Sequence, residues 1–429
     1  MIKIKGFFPP LLFLMVLLTP LLGAQQEHIE VSAPANRQLQ LHIAPAVNLG
    51  GESDSAMSAD ISQVLGFDMT LAGFSVVSPP VAEEMGIRPG EFSLAPWKRA
   101  GADILIKSGF QLNGDSCTIE FRLYDVTREK EVAAKRYTGR RQDVRKIVHT
   151  FSDDALEAVT GERGPFTGKI AFVSKATGNK EIALMDYDGY NVIPITKNRS
   201  INLNPEFSPS GREIIFTSYQ KRNPDLYRRE LYTGSEARIS SSRGINITAA
   251  YAPDGNRIAL AMSKDGHSQI YLISKEGKEL ARLTHGSAID VSPAWSPDGS
   301  RITFVSDRLG SPQVFVMNAD GSSVRRLTTT GSYNVSPRWS PKGDRIAYCR
   351  QEGNGFQIYT IRPDGTGDLR LTSEGNNEHP RWSPDGRFIT FSSRRGGTEA
   401  IYVMRADGTG ETRVSRGKGA DSHPTWSPR

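Results

Sequence analysis

The chain has 429 residues, 38% of them hydrophobic and 23% charged, with a formal net charge of +6. Such a length holds more than one domain and a sizeable core. Lys and Arg alternate with Asp and Glu without basic runs or interleaved aromatics, which excludes a nucleic-acid footprint. Cys117 and Cys349 fall in strand-like segments of different regions and read as small buried apolar residues, so burial and not cross-linking must hold the fold.

Lys3 and Lys5 precede an apolar run, residues 7–22, that ends in Leu22-Gly23-Ala24 before the polar Gln25-Gln26-Glu27. This predicts a secretory signal at residues 1–24, cleaved after Ala24. The run is short and interrupted by Pro9, Pro10 and Pro20, which argues against a retained anchor, and no cysteine stands there for lipidation. The 429 residues less these 24 leave 405, and the charge falls to +4 with the loss of the two lysines. No second apolar stretch is long enough to span a bilayer, so the mature chain is expected outside the cytoplasm.

Residues 25–164 read as a small α/β domain with an N-terminal arm, polar up to about Asn36. A strand is predicted over 38–44. A helix follows, with Ile61, Val64, Leu65 and Leu71 on one face and Ser58 and Asp60 near its start. Asp68 falls on that same face and predicts that the helix ends near Phe67. Strands are expected at 74–77, before the Pro79-Pro80 break, at 104–112, and at 117–125, where Cys117, Ile119, Phe121 and Leu123 alternate. A strand near 131–138 leads to a second helix carrying Val144, Ile147, Val148, Phe151 and Ala155 on one face. The helix ends at Thr160-Gly-Glu-Arg-Gly164-Pro165, the expected domain boundary.

Residues 165–429 repeat. An aromatic before Ser-Pro, or Ala-Pro in one copy, recurs at Phe207, Tyr251, Trp295, Trp339, Trp382 and Trp426, at intervals of 44, 44, 44, 43 and 44 residues. In the copy at Pro293, Ser296-Pro297-Asp298-Gly299 makes a tight turn, Ile302, Phe304 and Ser306 alternate, Gln313–Met317 gives a third strand, and Arg325-Arg-Leu327-Thr328 gives a fourth after Asp320-Gly321. Arginine on that last strand suits an outer edge. Four strands per period of this size predict a six-bladed β-propeller. The last copy stops after its first strand, and its missing strands match Lys169–Ser174, Glu181–Met185 and Ile193–Thr196. The ring is therefore expected to close with three strands from one end of the repeats and one from the other.

A peptidase-type propeller would need a Gly-x-Ser-x-Gly elbow, and Gly266-His267-Ser268-Gln-Ile270 lacks the final glycine. Sialidase boxes do not match, because the aromatic precedes the turn. A lactonase-like metal site would draw on Asp290, Asn334 and Glu378. Of seven histidines only His379 and His423 are repeat-equivalent, too few for a metal site, so no cofactor and no metal are expected.

The order of signal, α/β domain and six repeats resembles the TolB family, periplasmic β-propeller proteins of the Tol-Pal envelope system. The resemblance rests on Trp97-Lys-Arg-Ala-Gly101-Ala-Asp103, Phe121-Arg-Leu-Tyr-Asp125, His149-Thr-Phe-Ser-Asp153, Thr160-Gly-Glu-Arg-Gly164-Pro-Phe166 and the Ser-Pro-Asp-Gly repeats. It implies a periplasmic protein without a catalytic step. Its propeller would bind the peptidoglycan-associated lipoprotein (Pal) of the outer membrane near the channel mouth. Its mature arm, which begins here with Gln25, Gln26, Glu27, His28 and Ile29, would engage the inner-membrane protein TolA. Outer-membrane integrity and cell division would depend on it. The alternative is a propeller hydrolase or small-ligand module using the channel. Because the first strand of a blade lies innermost, residues at its start should line one mouth. Those are Asn246, Thr248, Asp290, Ser292, Asn334, Ser336, His379 and His423.

Overall fold

The computed structural model describes residues 38–51, 54–77 and 86–429; the expected signal, the arm residues 25–36 and Pro79-Pro80 lie outside these. The first region is a mixed sheet of β1 (Gln40–Ile43), β2 (Val47–Asn48), β3 (Ser75–Val77), β4 (Ile104–Asn113), β5 (Ser116–Asp125) and β6 (Lys130–Arg140). Its order is β3-β1-β4-β5-β6, with β2 on β4. β1 runs parallel to β3 and β4, whereas β4, β5 and β6 are antiparallel neighbours. Alternation along β5 sends Cys117, Ile119, Phe121 and Leu123 to one face. There they pack with Ile61, Val64 and Leu65 of α1 (Ser55–Ala72) and Val148 and Phe151 of α3 (Val144–Thr160). Phe121 stacks on Phe151 with ring centres 4.3 Å apart. The opposite face is covered by α2 (Ala95–Arg99), whose Trp97 packs with Leu105, Tyr124 and Val126. One helical turn shows too little periodicity to be read from sequence.

α1 corrects one expectation. It starts after Asp54, whose carboxylate accepts from the Met57 N–H at 3.0 Å, and it does not stop at Phe67. It continues through Asp68 to Ala72 and ends on Gly73 in the left-handed conformation (φ 101°). Asp68 is fully buried, but it is partnered, and its position marks a contact between the two regions.

Residues 169–426 form six four-stranded antiparallel sheets, termed blades 1 to 6 here. Blades 1 to 5 are continuous in sequence, with inner strands Asn202–Phe207, Asn246–Tyr251, Asp290–Trp295, Asn334–Trp339 and Asn377–Trp382. In blade 6 the inner strand is Asp421–Trp426, paired to Lys169–Ser174 through Asp421↔Ser174 and Trp426↔Ile170. The inner strands pack side by side around the ring, the sixth lying against the first and the fifth.

The repeated motifs have repeated jobs. Thr328 and Thr372, which end the Arg-Leu-Thr segments, accept a third-strand N–H and donate to Gln313 and Gln357 at 2.8 and 2.7 Å. The arginine Nε of Arg282, Arg370 and Arg413 donates to the carbonyl two residues on, so the outer edge is capped as well as charged. The Asp320-Gly321 turn between third and fourth strands presses on the preceding blade: a Cβ on Gly321 would stand 2.6 Å from the Leu283 carbonyl oxygen, at a φ of 87° that also favours glycine. Both cysteines are free and buried.

The two regions share one hydrophobic core. It runs from Ile61 and Phe151 through Phe166 to Tyr187, Phe388 and Trp426. Tyr187 of blade 6 stacks on Trp426 at 6.0 Å and donates its hydroxyl to Asp68. His149 Nδ1 lies 2.9 Å from Asp68 Oδ2, and its Nε2 stands 3.2 Å from Asp188 Oδ2, close enough to pair but off the hydrogen-bonding direction. Arg145 also pairs with Asp188. Burial alone would lower the His149 imidazole, but the Asp68 and Asp188 carboxylates outweigh it and raise it to about 10. Burial pulls Asp188 up, and His149 with Arg145 overcomes that and brings it down to about 2. Arg405 of blade 5 donates to the Thr70 and Leu71 carbonyls at the end of α1, where positive charge is favoured.

Candidate functional site

The channel is built by one irregularity repeated six times. In every inner strand two residues oppose one on the neighbouring strand, a β-bulge between Leu203 and Glu206 in blade 1 and at the equivalent place in the others. The first bulged residue always has positive φ: Asn204, Thr248, Ser292, Ser336, His379 and His423, between 51° and 58°. In five of the six the next residue is proline. The bulge re-aims the side chains, bringing neighbours around the ring into contact. The Ser292 N–H donates to Thr248 Oγ1 at 3.1 Å, and the His379 and His423 rings stack with centres 3.7 Å apart.

The eight residues singled out from sequence thus divide. Thr248, Ser292, Ser336, His379 and His423 belong to the bulge ring. Asn246, Asp290 and Asn334 open their inner strands, are wholly buried, and tie those strands to their own blade or to the preceding one. Asn246 accepts from Ser240 at 2.7 Å, Asp290 from Arg308 at 3.0 Å, and Asn334 bridges Gln313 and Arg350. Their side chains are engaged within and between blades.

Burial, reinforced by Lys180 and Arg381, drives His423 down to about 3. Burial and the adjacent His423 likewise hold His379 well below the usual imidazole range. His379 keeps 24% of its side-chain surface open, yet the surrounding walls strip much of its hydration. Both rings are neutral at physiological pH, which lets them stack. Sequence reasoning missed the sixth member, Asn204, and the layer two residues further on, Glu206, Arg338 and Arg381. Their constant offset from the aromatic before Ser-Pro was the available signal. Beyond that layer the six aromatics and their Ser-Pro turns enclose a cavity of about 550 Å³. Glu162, after α3, pairs there with Lys342 and Arg387 beside two of these turns, so the α/β region joins the propeller on the Ser-Pro side.

Residues 156–429 match the family model for the TolB beta propeller domain, and residues 27–132 match that for the TolB amino-terminal domain. The Tol-Pal system protein TolB of Geobacter sulfurreducens is 64% identical over 214 residues, 49% of this chain and 50% of that protein. Its counterpart in Geobacter metallireducens is 66% identical over 212 residues, 49% of each. The chain spans about half the length of the curated relatives it matches. The crystal structure of TolB from Acinetobacter baumannii superposes with a TM-score of 0.81 at 24% identity, covering 94% of this chain and 100% of that one, a likeness of fold. With both of its regions matched by the corresponding models, the chain belongs to the TolB family.

Proposed function

We propose that this chain is a non-enzymatic periplasmic adaptor of the Tol-Pal envelope complex. Its propeller binds the peptidoglycan-associated lipoprotein, and its arm, beginning at Gln25, Gln26, Glu27, His28 and Ile29, binds TolA. Through these contacts it supports outer-membrane integrity and cell division. The leader at residues 1–24 directs it to the periplasm, residues 25–164 form the arm and α/β domain, and residues 165–429 form the propeller. The observation that carries the reading is the bulge ring. Thr248, Ser292, Ser336, His379 and His423 are held by strained backbone at the channel, where neighbouring members contact one another around the ring. Asn246, Asp290 and Asn334 support that surface from behind. A route for coupling is also present, since one strand, Asp421–Trp426, carries His423 in the ring and Trp426 in the core shared with the α/β region.

Calorimetric titration with the soluble domain of the same organism's lipoprotein tests this. Saturable one-to-one binding is expected, weakened by Ser292→Trp. Deleting residues 25–36 should change the lipoprotein affinity if arm and propeller are coupled, and by reciprocity the lipoprotein should then change the affinity for TolA. Absence of binding at high micromolar concentration would remove the adaptor reading.

A further inference from the structure

The Ser-Pro end of the channel carries charge that the bulge ring does not use. The floor of its cavity is set by the position two residues beyond each bulge. Blades 2, 3 and 6 place Ala250, Ala294 and Thr425 there, whereas blades 1, 4 and 5 place Glu206, Arg338 and Arg381. Two cations therefore face one carboxylate, and both guanidiniums are largely buried, with 14% and 13% of their side-chain surface exposed.

That carboxylate does not satisfy them. Glu206 Oε2 lies 4.0 Å from Arg338 Nη2 and 3.7 Å from Arg381 Nη2, ion-pair distances beyond hydrogen bonding. Arg338 Nη1 donates to the Pro337 carbonyl at 2.8 Å, but its Nε is buried without an acceptor. Arg381 Nη1 reaches the Pro380 carbonyl at 3.4 Å. A guanidinium offers five N–H donors, so among the described residues this layer has far more donors than acceptors. The neighbouring layer supplies no compensation, because His379 and His423 are neutral and Glu378 is turned to Asn376 and His379. Burial, and then the repulsion between the two arginines, lowers Arg381 to about 9, which reflects the same unbalanced charge.

A buried cation with too few acceptors is costly, and the arginine fork matches an oxyanion with two oxygens. We propose that this cavity binds the phosphate or carboxylate group of a small molecule, which enters through the Ser-Pro mouth and is held between Arg338 and Arg381. The cavity's 550 Å³ falls within the range of about 300–1,000 Å³ common for small-molecule sites. Trp382 Nε1 donates to the Arg338 carbonyl at 3.1 Å and fixes the backbone of that arm of the clasp. Glu206 opposes the anion.

The test titrates the full chain with sodium phosphate and, separately, sodium glutarate, each against sodium chloride at matched ionic strength, reading thermal shift and calorimetry. A saturable response to either anion and not to chloride is expected; the responding anion identifies the group. Arg338→Gln and Arg381→Gln should each weaken it by about tenfold or more. Glu206→Gln should tighten it. No saturable response to either anion overturns the site, as does a response unchanged in both arginine variants. Should those variants fail to fold, Glu206→Gln decides alone, and unchanged or weaker binding rejects the proposal.

Discussion

The turn between third and fourth strands appears in blade 3 as Asp320-Gly321 and in blade 6 as Asp188-Gly189. The backbones match: Gly321 has φ 87° and Gly189 has φ 88°, and each glycine N–H donates three residues back at 2.9 Å. Each glycine also faces a carbonyl of the preceding blade, Leu283 or Val414, with no room for a Cβ. The side chains differ. Asp320 is exposed and accepts from the Ser322 N–H and hydroxyl at 2.9 and 2.6 Å. Asp188 is buried between His149 and Arg145 of the α/β region, and its neighbour, Ala319 in blade 3, is replaced by Tyr187, which reaches Asp68. Repeat position fixes the backbone, and what packs against it fixes what the carboxylate does.

The largest effect should come from the blade that makes this turn special. Truncation after Gly419 removes the inner strand of blade 6 and Trp426 from the shared core, and is expected to lower the unfolding midpoint by more than about 10 °C. An unchanged melt would mean that the ring does not depend on that strand. Next, Asp188→Ala removes the carboxylate that pairs with Arg145 and with His149 Nε2, leaving His149 only Asp68, and should cost about 3–5 kcal/mol in denaturant unfolding.

The pH dependence sharpens the contrast. His149 is raised from an ordinary 6.5 to about 10, so its contribution is complete below pH 6.5 and is lost as pH climbs through 10. Asp188 is lowered from 3.8 to about 2, so its contribution is present above pH 3.8 and is lost as pH falls through 2. Melts between pH 7 and 10 should therefore fall more steeply for the parent chain than for His149→Gln; parallel slopes would detach His149 from the junction. The smallest effect belongs to the ordinary copy of the turn: Asp320→Ala should cost about 0.5 kcal/mol or less. A loss comparable to that of Asp188→Ala would erase the distinction.

The same division governs what could be read in advance. Elements with a strong period were legible: the six blades from spaced aromatics and Ser-Pro turns, β5 from its alternation, α3 from its apolar face. Asp68 misled because a charged residue on an apolar face has two physical meanings, an end of burial or a buried pair, and only the partner distinguishes them. His149 and Tyr187 lie 81 and 119 residues away in sequence. At the channel, counting from the strand start found five members of the bulge ring, yet also took in three buried residues one turn of the pleat away. The bulge shifts the side-chain alternation by one residue, which a plain two-residue period does not anticipate.

Blade 6 also sets an order of events. Blades 1 to 5 are chains of hairpins whose partners are close in sequence, whereas the Ser174–Asp421 hydrogen bond spans 247 residues. Loop closure over such a distance is slow relative to local pairing. Until it happens, Lys169–Ser174 presents an unpaired edge and Tyr187 lacks its stack on Trp426, so the core shared with the α/β region is incomplete. Closure of the propeller and docking of the first domain are thus expected to be a single late step, and pulse-labelled hydrogen exchange should protect Ile302 of blade 3 before Ile170 of blade 6. The last strand to pair works as an assembly checkpoint: only a chain that has closed its ring acquires a finished junction.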